Sequence, residues 1–173
     1  MSERILYTVD LCLMTETGQD KPSPTKVCRE RNLSQIREAT TMEKDCPLSQ
    51  QEQRWLDDGI TKFNTGQYWH AHEDWEEMWK SLKVREVEQR YVLGIQGLIQ
   101  TTALMFQYER QKSQGIIKMW RKLTDKIGTP ESPLFENLWC VDIPKVLQDV
   151  LPFHADAAAN EPIWNLNPNA VQL

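Results

Sequence analysis

From residue 49 onward the chain repeats apolar residues every three or four positions, the period of amphipathic helices. Residues 50–64 carry Trp55, Leu56, Ile60 and Phe63 on one face, behind a Ser49-Gln50-Gln51-Glu52 stretch with the form of a capping box and ahead of Gly66 as a stop. A second helix is predicted over 68–82. At 100° per residue, Tyr68, His72, Trp75, Trp79 and Leu82 fall within an arc of about 80°, which is its expected buried face. The third, over 87–110, is apolar around most of its circumference and is expected to lie at the centre of the fold. A fourth over 113–127 repeats Ile116, Trp120, Leu123 and Ile127 and meets Gly128; Pro130 and Pro133 then mark a turn. A short last helix over 143–151 begins after Asp142 with Pro144 in its first turn. No strand pattern competes, so the prediction is an all-α fold: a compact multi-helix bundle of about five helices around a central apolar helix.

Outside 48–152 the pattern fades. Residues 1–47 read as a flexible or irregular N-terminal arm, with Gly18, Pro22, Pro24 and Pro47 and no sustained apolar period, and 153–173 read as an irregular tail rich in Asn and Pro. A chain of 173 residues is enough for one domain with its own core. The net charge of −5 argues against a nucleic-acid partner, because phosphate neutralisation requires a basic face. Lys118, Arg121, Lys122 and Lys126 on the fourth helix then read as a solvated face. The longest uncharged stretch, Tyr91 to Tyr108, contains three Gln, two Thr and two Gly, which suits a buried helix and no membrane span. The four cysteines lack zinc or redox spacing, and the chain opens without a secretory pattern; reduced thiols in a cytoplasmic protein are the expectation.

Polar residues are densest from Phe63 to Trp79. Helical spacing puts His72 on the buried face and Glu76, one turn on, at its edge, with Glu73 about 100° round from His72 and His70 and Glu77 facing solvent. On the third helix Gln96, Gln100 and Gln107 form a stripe within about 40° of arc. No charge occurs between Arg90 and Glu109, so the stripe is expected to be partly enclosed, with His72 and Glu76 of the neighbouring helix as its polar partners. A polar seam inside a bundle is where such folds build metal and ligand sites. It is equally the form of a satisfied structural network that specifies which helices pack together. The chain has no H-E-x-x-H, no Glu-x-x-His, no glycine-rich phosphate loop and no paired nucleophile and base. Trp55, Trp75, Trp79 and Trp120 read as core, and Trp69 as a wall of the pocket.

Three blocks together, Phe63-Asn64-x-Gly66-x-Tyr68, Ala71-His72-Glu73-x-x-Glu76-x-x-Trp79 and Gly97-Leu98-Ile99-Gln100, resemble the domain of unknown function 309 family over about residues 50–127. The resemblance implies a compact helical bundle. It also implies the family's label of metal-dependent hydrolase, with Asn64, His72, Glu73, Glu76 and Gln100 as the shared polar residues. Two positions depart from the family pattern: Gln107 stands where members often carry a His, and Gln111-Lys112 where a Gly-Asn usually opens the next turn.

Two functions of different class follow as expectations. In the first, a pocket between the second and third helices binds zinc or manganese through His72 and Glu76, Glu73 is ligand or general base, and Asn64, Trp69, Gln96, Gln100 and Gln107 line the pocket and orient a small-molecule substrate. In the second, the domain is a non-enzymatic protein-interaction or scaffold module and the same network is structural. The number of enclosed carboxylates beside His72 discriminates them: two favour metal, one favours structure. The Trp-rich surface leaves open whether the chain closes a homodimer.

Overall fold

A computed structural model describes residues 46–173; residues 1–45 of the arm expected over 1–47, including Cys12 and Cys28, lie outside the described residues. Five α-helices account for most of this span: α1 (Gln50–Asn64), α2 (Tyr68–Val84), α3 (Gln89–Glu109), α4 (Ser113–Ile127) and α5 (Ile143–Ala158). Short loops join α1 through α4, and each packs on the next in order, as expected for antiparallel neighbours. Helix α3 is central, touching α2, α4, α5 and a 3₁₀ turn at Pro168–Ala170. Ile95, Leu98, Leu104 and Met105 on α3 are fully buried among Leu56, Phe63, Trp75, Leu82, Ile116, Leu123 and Leu147.

The capping box predicted at α1 is present. Ser49 Oγ accepts from Glu52 N–H at 3.2 Å, and Glu52 Oε2 accepts from Ser49 N–H at 2.7 Å. The α2 prediction needs a correction of about 40° in rotation. The buried residues are Tyr68, Ala71, Trp75, Met78 and Leu82, which moves His72 and Trp79 from the centre of the buried face to its edge against α3. Periodicity alone treats all large apolar residues alike. In the fold, small Ala71 and flexible Met78 take the inner positions because α1 approaches closely there: Gly59 leaves room for the Trp75 indole, which donates to the Leu56 carbonyl at 3.4 Å.

The last helix is also longer than expected. It runs through Pro152 to Ala158, because the buried series Ile143, Val146, Leu147, Val150, Phe153 and Ala157 continues across the proline. Pro152 itself is exposed; burial of Phe153 and Ala157 outweighs the backbone bond that proline cannot donate. Two short antiparallel pairs, β1 (Gly128–Thr129) with β2 (Ser132–Pro133) and β3 (Asn137–Leu138) with β4 (Val141–Asp142), occupy the expected turn region and bring strand pairing where none was predicted. The domain core also begins earlier than residue 48. Cys46 is buried and its carbonyl accepts from Trp139 Nε1 at 3.0 Å. Cys140, expected as a reduced thiol, is disulfide-bonded, so its state lends no support to a reducing compartment. Among the described residues no helix is long and apolar enough to cross a membrane.

One departure from the family pattern has a direct backbone consequence. Gln111, just past α3, has φ +54°, the left-handed conformation in which a helix commonly ends on glycine. Gln111→Gly is therefore expected to stabilise the domain by about 0.5–1 kcal/mol, the steric relief exceeding glycine's entropy cost. Urea denaturation of the two proteins measures it.

Candidate functional site

The seam between α2 and α3 gathers the predicted His–Glu pair. His72 Nε2 lies 3.3 Å from Glu76 Oε1, as the i, i+4 spacing requires, and His72 Nδ1 lies 3.2 Å from Thr102 Oγ1 on α3. The Thr102 hydroxyl already donates to the Ile99 carbonyl at 2.7 Å, so its oxygen is the acceptor and His72 Nδ1 the donor. One face of the imidazole is covered: the Trp69 indole stacks on it with ring centroids 5.7 Å apart and planes 4° from parallel. Phe106 of α3 lies 5.7 Å beyond Trp69, and the Arg110 guanidinium sits 4.2 Å over Phe106. The result is a column, His72–Trp69–Phe106–Arg110, running up the seam. Trp69 is 53% exposed, so the column is open to solvent along one side.

The other predicted site residues are dispersed. Glu73 turns away from His72 and pairs with His70 Nδ1 at 3.1 Å, with both side chains exposed. Gln96, Gln100 and Gln107 are half-buried, as the lack of charge implied, but His72 meets Thr102 and not the glutamine stripe. Thr102 and Gln100 lie about 160° apart around α3, so only one of them can face α2. Gln107 lies instead against α4, its amide within 2.8 Å of where a Cβ on Gly115 would stand. Gln100 Oε1 and Trp79 Nε1 are buried without a hydrogen-bond partner. Asn64 belongs to a different place altogether. Its side chain bonds both backbone groups of Leu173, with Oδ1 accepting from N–H at 2.9 Å and Nδ2 donating to the carbonyl at 3.3 Å.

Sequence reasoning missed Thr102, whose signal was an interruption of the apolar run of α3 by a small hydroxyl. It also missed the Tyr108–Asp156 pair, where the Tyr108 hydroxyl donates to Asp156 Oδ2 at 2.6 Å. Burial first, and then this bond, push the Tyr108 phenol up to about 12, so it remains a donor throughout the physiological range.

A divalent metal implied by the family label does not fit these residues. His72 Nε2 and Glu76 Oε1 make two donors, whereas protein zinc sites use three or four. The third candidate ligand, the Glu73 carboxylate, is committed to His70 on the exposed side. Among the described residues no group of three or more His, Cys, Asp or Glu side chains is gathered as a metal site would require.

The architecture and the seam define a small α-helical bundle domain with the His72–Glu76 pair of α2 lying along its seam with α3. Residues 56–119 match the model of the family described as Domain of unknown function (DUF309), and over this segment the chain is similar to that family. The matched segment spans α1 from Leu56, all of α2 and α3, and the first half of α4, so it contains the whole seam. No curated protein and no solved structure matches the chain.

Proposed function

We propose that this domain is a non-enzymatic protein-interaction module in which the His72–Glu76–Thr102 network is structural. One observation carries the reading: a single carboxylate, Glu76, accompanies His72, while Glu73 is paired elsewhere. His72 Nδ1 joins α2 to α3 through Thr102 and its ring stacks on Trp69, while Glu76 Oε1 lies 3.3 Å from Nε2 one turn along α2, so His72 is the side chain that links the two helices. Trp69 and Phe106, in tilted contact and partly exposed on that seam, supply the rigid aromatic area characteristic of interface anchors. Among the described residues no group of three or more His, Cys, Asp or Glu side chains is gathered to hold the metal that the family label implies.

The test is elemental analysis of untagged protein purified without chelator, beside His72→Ala. The expected result is substoichiometric zinc, manganese and iron in both proteins. His72→Ala should remain folded and lose about 1–2 kcal/mol, because Thr102 keeps its bond to Ile99 and the half-buried site admits water. Near-stoichiometric metal that disappears in His72→Ala would overturn the proposal and restore the metallohydrolase reading.

A further inference from the structure

The segment beyond α5 folds back over the junction of α1 and α2, and a single sequence block receives it. Asn64 reads both backbone groups of Leu173, and Gln172 Nε2 donates in return to the Asn64 carbonyl at 3.2 Å. Gly66, at φ +76°, leaves the space that Asn169 fills: a Cβ there would stand 2.5 Å from Asn169 Oδ1. The Tyr68 hydroxyl donates to that same oxygen at 3.5 Å. Val171 is 3% exposed and enters the core, and Lys145 Nζ donates to the Gln172 carbonyl at 2.6 Å. Phe63-Asn64-x-Gly66-x-Tyr68 thus holds the backbone of Leu173 by an amide clamp and seats the Asn169 side chain, while Val171 is buried in the core, the bonding pattern of a bound peptide.

The connection into this groove is strained. Trp164 has φ +57°, a left-handed conformation unfavourable for an aromatic residue. It is held there by Asp156, whose carboxylate accepts from the N–H groups of Ile163 at 2.8 Å and Trp164 at 3.0 Å. Residues 159–161, between α5 and this turn, are exposed. Straightening such a hinge releases its strain, while every groove contact can be remade with the same segment from another molecule.

We propose that the Asn64–Gly66–Tyr68 groove is a peptide site whose occupant in trans is the 167–173 segment of a second copy of this chain, giving a reciprocal tail-exchanged dimer. The closed form dominates in dilute solution because the tethered segment is present at high effective concentration. The exchanged form gains as protein concentration rises. This site stands apart from the α2–α3 seam and does not depend on the role of His72.

The experiment uses the full chain. Val171→Asp releases the chain's own segment and leaves the groove intact, and a fluorescein-labelled peptide of residues 165–173 is titrated into it. Saturable binding is expected, with affinity at least about 10-fold lower in Val171→Asp/Asn64→Ala, where both clamp bonds are gone. Asn169→Arg, which replaces the side chain seated at Gly66 and Tyr68, is the second release variant should Val171→Asp fail to fold. Mixing either release variant with Gly66→Val, whose groove is blocked and segment intact, is expected to give a one-to-one heterodimer by sedimentation while each alone stays monomeric. A folded release variant that binds no peptide overturns the peptide site. Peptide binding without heterodimer formation overturns the second copy as occupant.

Discussion

Replacing Glu52 by Ala is expected to cost this domain about 3 kcal/mol or more, a large share of the 5–15 kcal/mol typical of a folded domain. The side chain is 0% exposed, yet it carries a charge, and its bonds explain why. One oxygen accepts from Ser49 N–H and from the Arg85 guanidinium; the other accepts from Ser81 Oγ at 2.8 Å. The carboxylate therefore caps α1 and ties its first turn to the end of α2. Alanine would leave the Ser49 N–H uncapped and strip Ser81 and Arg85 of their shared acceptor. Arg85 is partly exposed and regains water, which keeps the loss at the lower end of the range for breaking a buried pair. Urea unfolding followed by circular dichroism reads the change.

The same residue gives the expected pH dependence. Burial alone would raise the Glu52 carboxyl, but the bonds from Ser49 and Ser81 and the Arg85 charge outweigh it and hold the group below its ordinary value. A carboxyl depressed in the folded state contributes stability that is present above the unfolded value and lost as pH falls through the folded one. The stability difference between the natural protein and Glu52→Gln should accordingly be largest near neutrality and shrink on acidification. A difference independent of pH would refute the charged network as its source.

Gly97→Ala is expected to destabilise by about 1–3 kcal/mol although alanine is the better helix former. Here α3 and α4 pack so closely that a Cβ on residue 97 would stand 2.3 Å from Ile127 Cγ2, and Ile127 is itself fully buried. Neither side chain can move aside, so the helices must separate. The diagnostic is a double-mutant cycle with Ile127→Ala. That change alone creates a cavity and costs about 2–5 kcal/mol, but it removes the obstacle. In its background Gly97→Ala should be neutral or stabilising by up to about 1 kcal/mol, its intrinsic helix preference. A cost unchanged by Ile127→Ala would refute the steric explanation.

How far the sequence could be read depended on the range of the interaction involved. The limits of α1 and α4 came out as predicted because their signals are local: the Ser49–Glu52 box, Gly66 and Gly128. The end of α5 did not, since Pro152 is a local stop signal that distant packing partners of Phe153 and Ala157 overrule. Within the site, His72 and Glu76 meet because four residues of helix bring them together. The glutamine stripe was read correctly as half-enclosed, yet assigned to the wrong neighbour, because spacing along α3 gives angles between residues but not the helix's rotation against α2. Asn64 was placed in a pocket when its partner, Leu173, lies 109 positions away in a segment without periodicity.

By itself, then, the sequence determined the number and order of the helices, the apolar faces of α1 and α4, the central place of α3 and the pairing of His72 with Glu76, all consequences of periodicity and caps acting within a few residues. The tertiary structure alone decided that Glu73 turns outward to His70, that Thr102 and no glutamine meets His72, and that Asn64 clasps the returning chain. Each of those outcomes depends on how one helix is rotated against another, or on where a distant segment comes to rest. Close packing of the whole core sets both, and no local pattern encodes them.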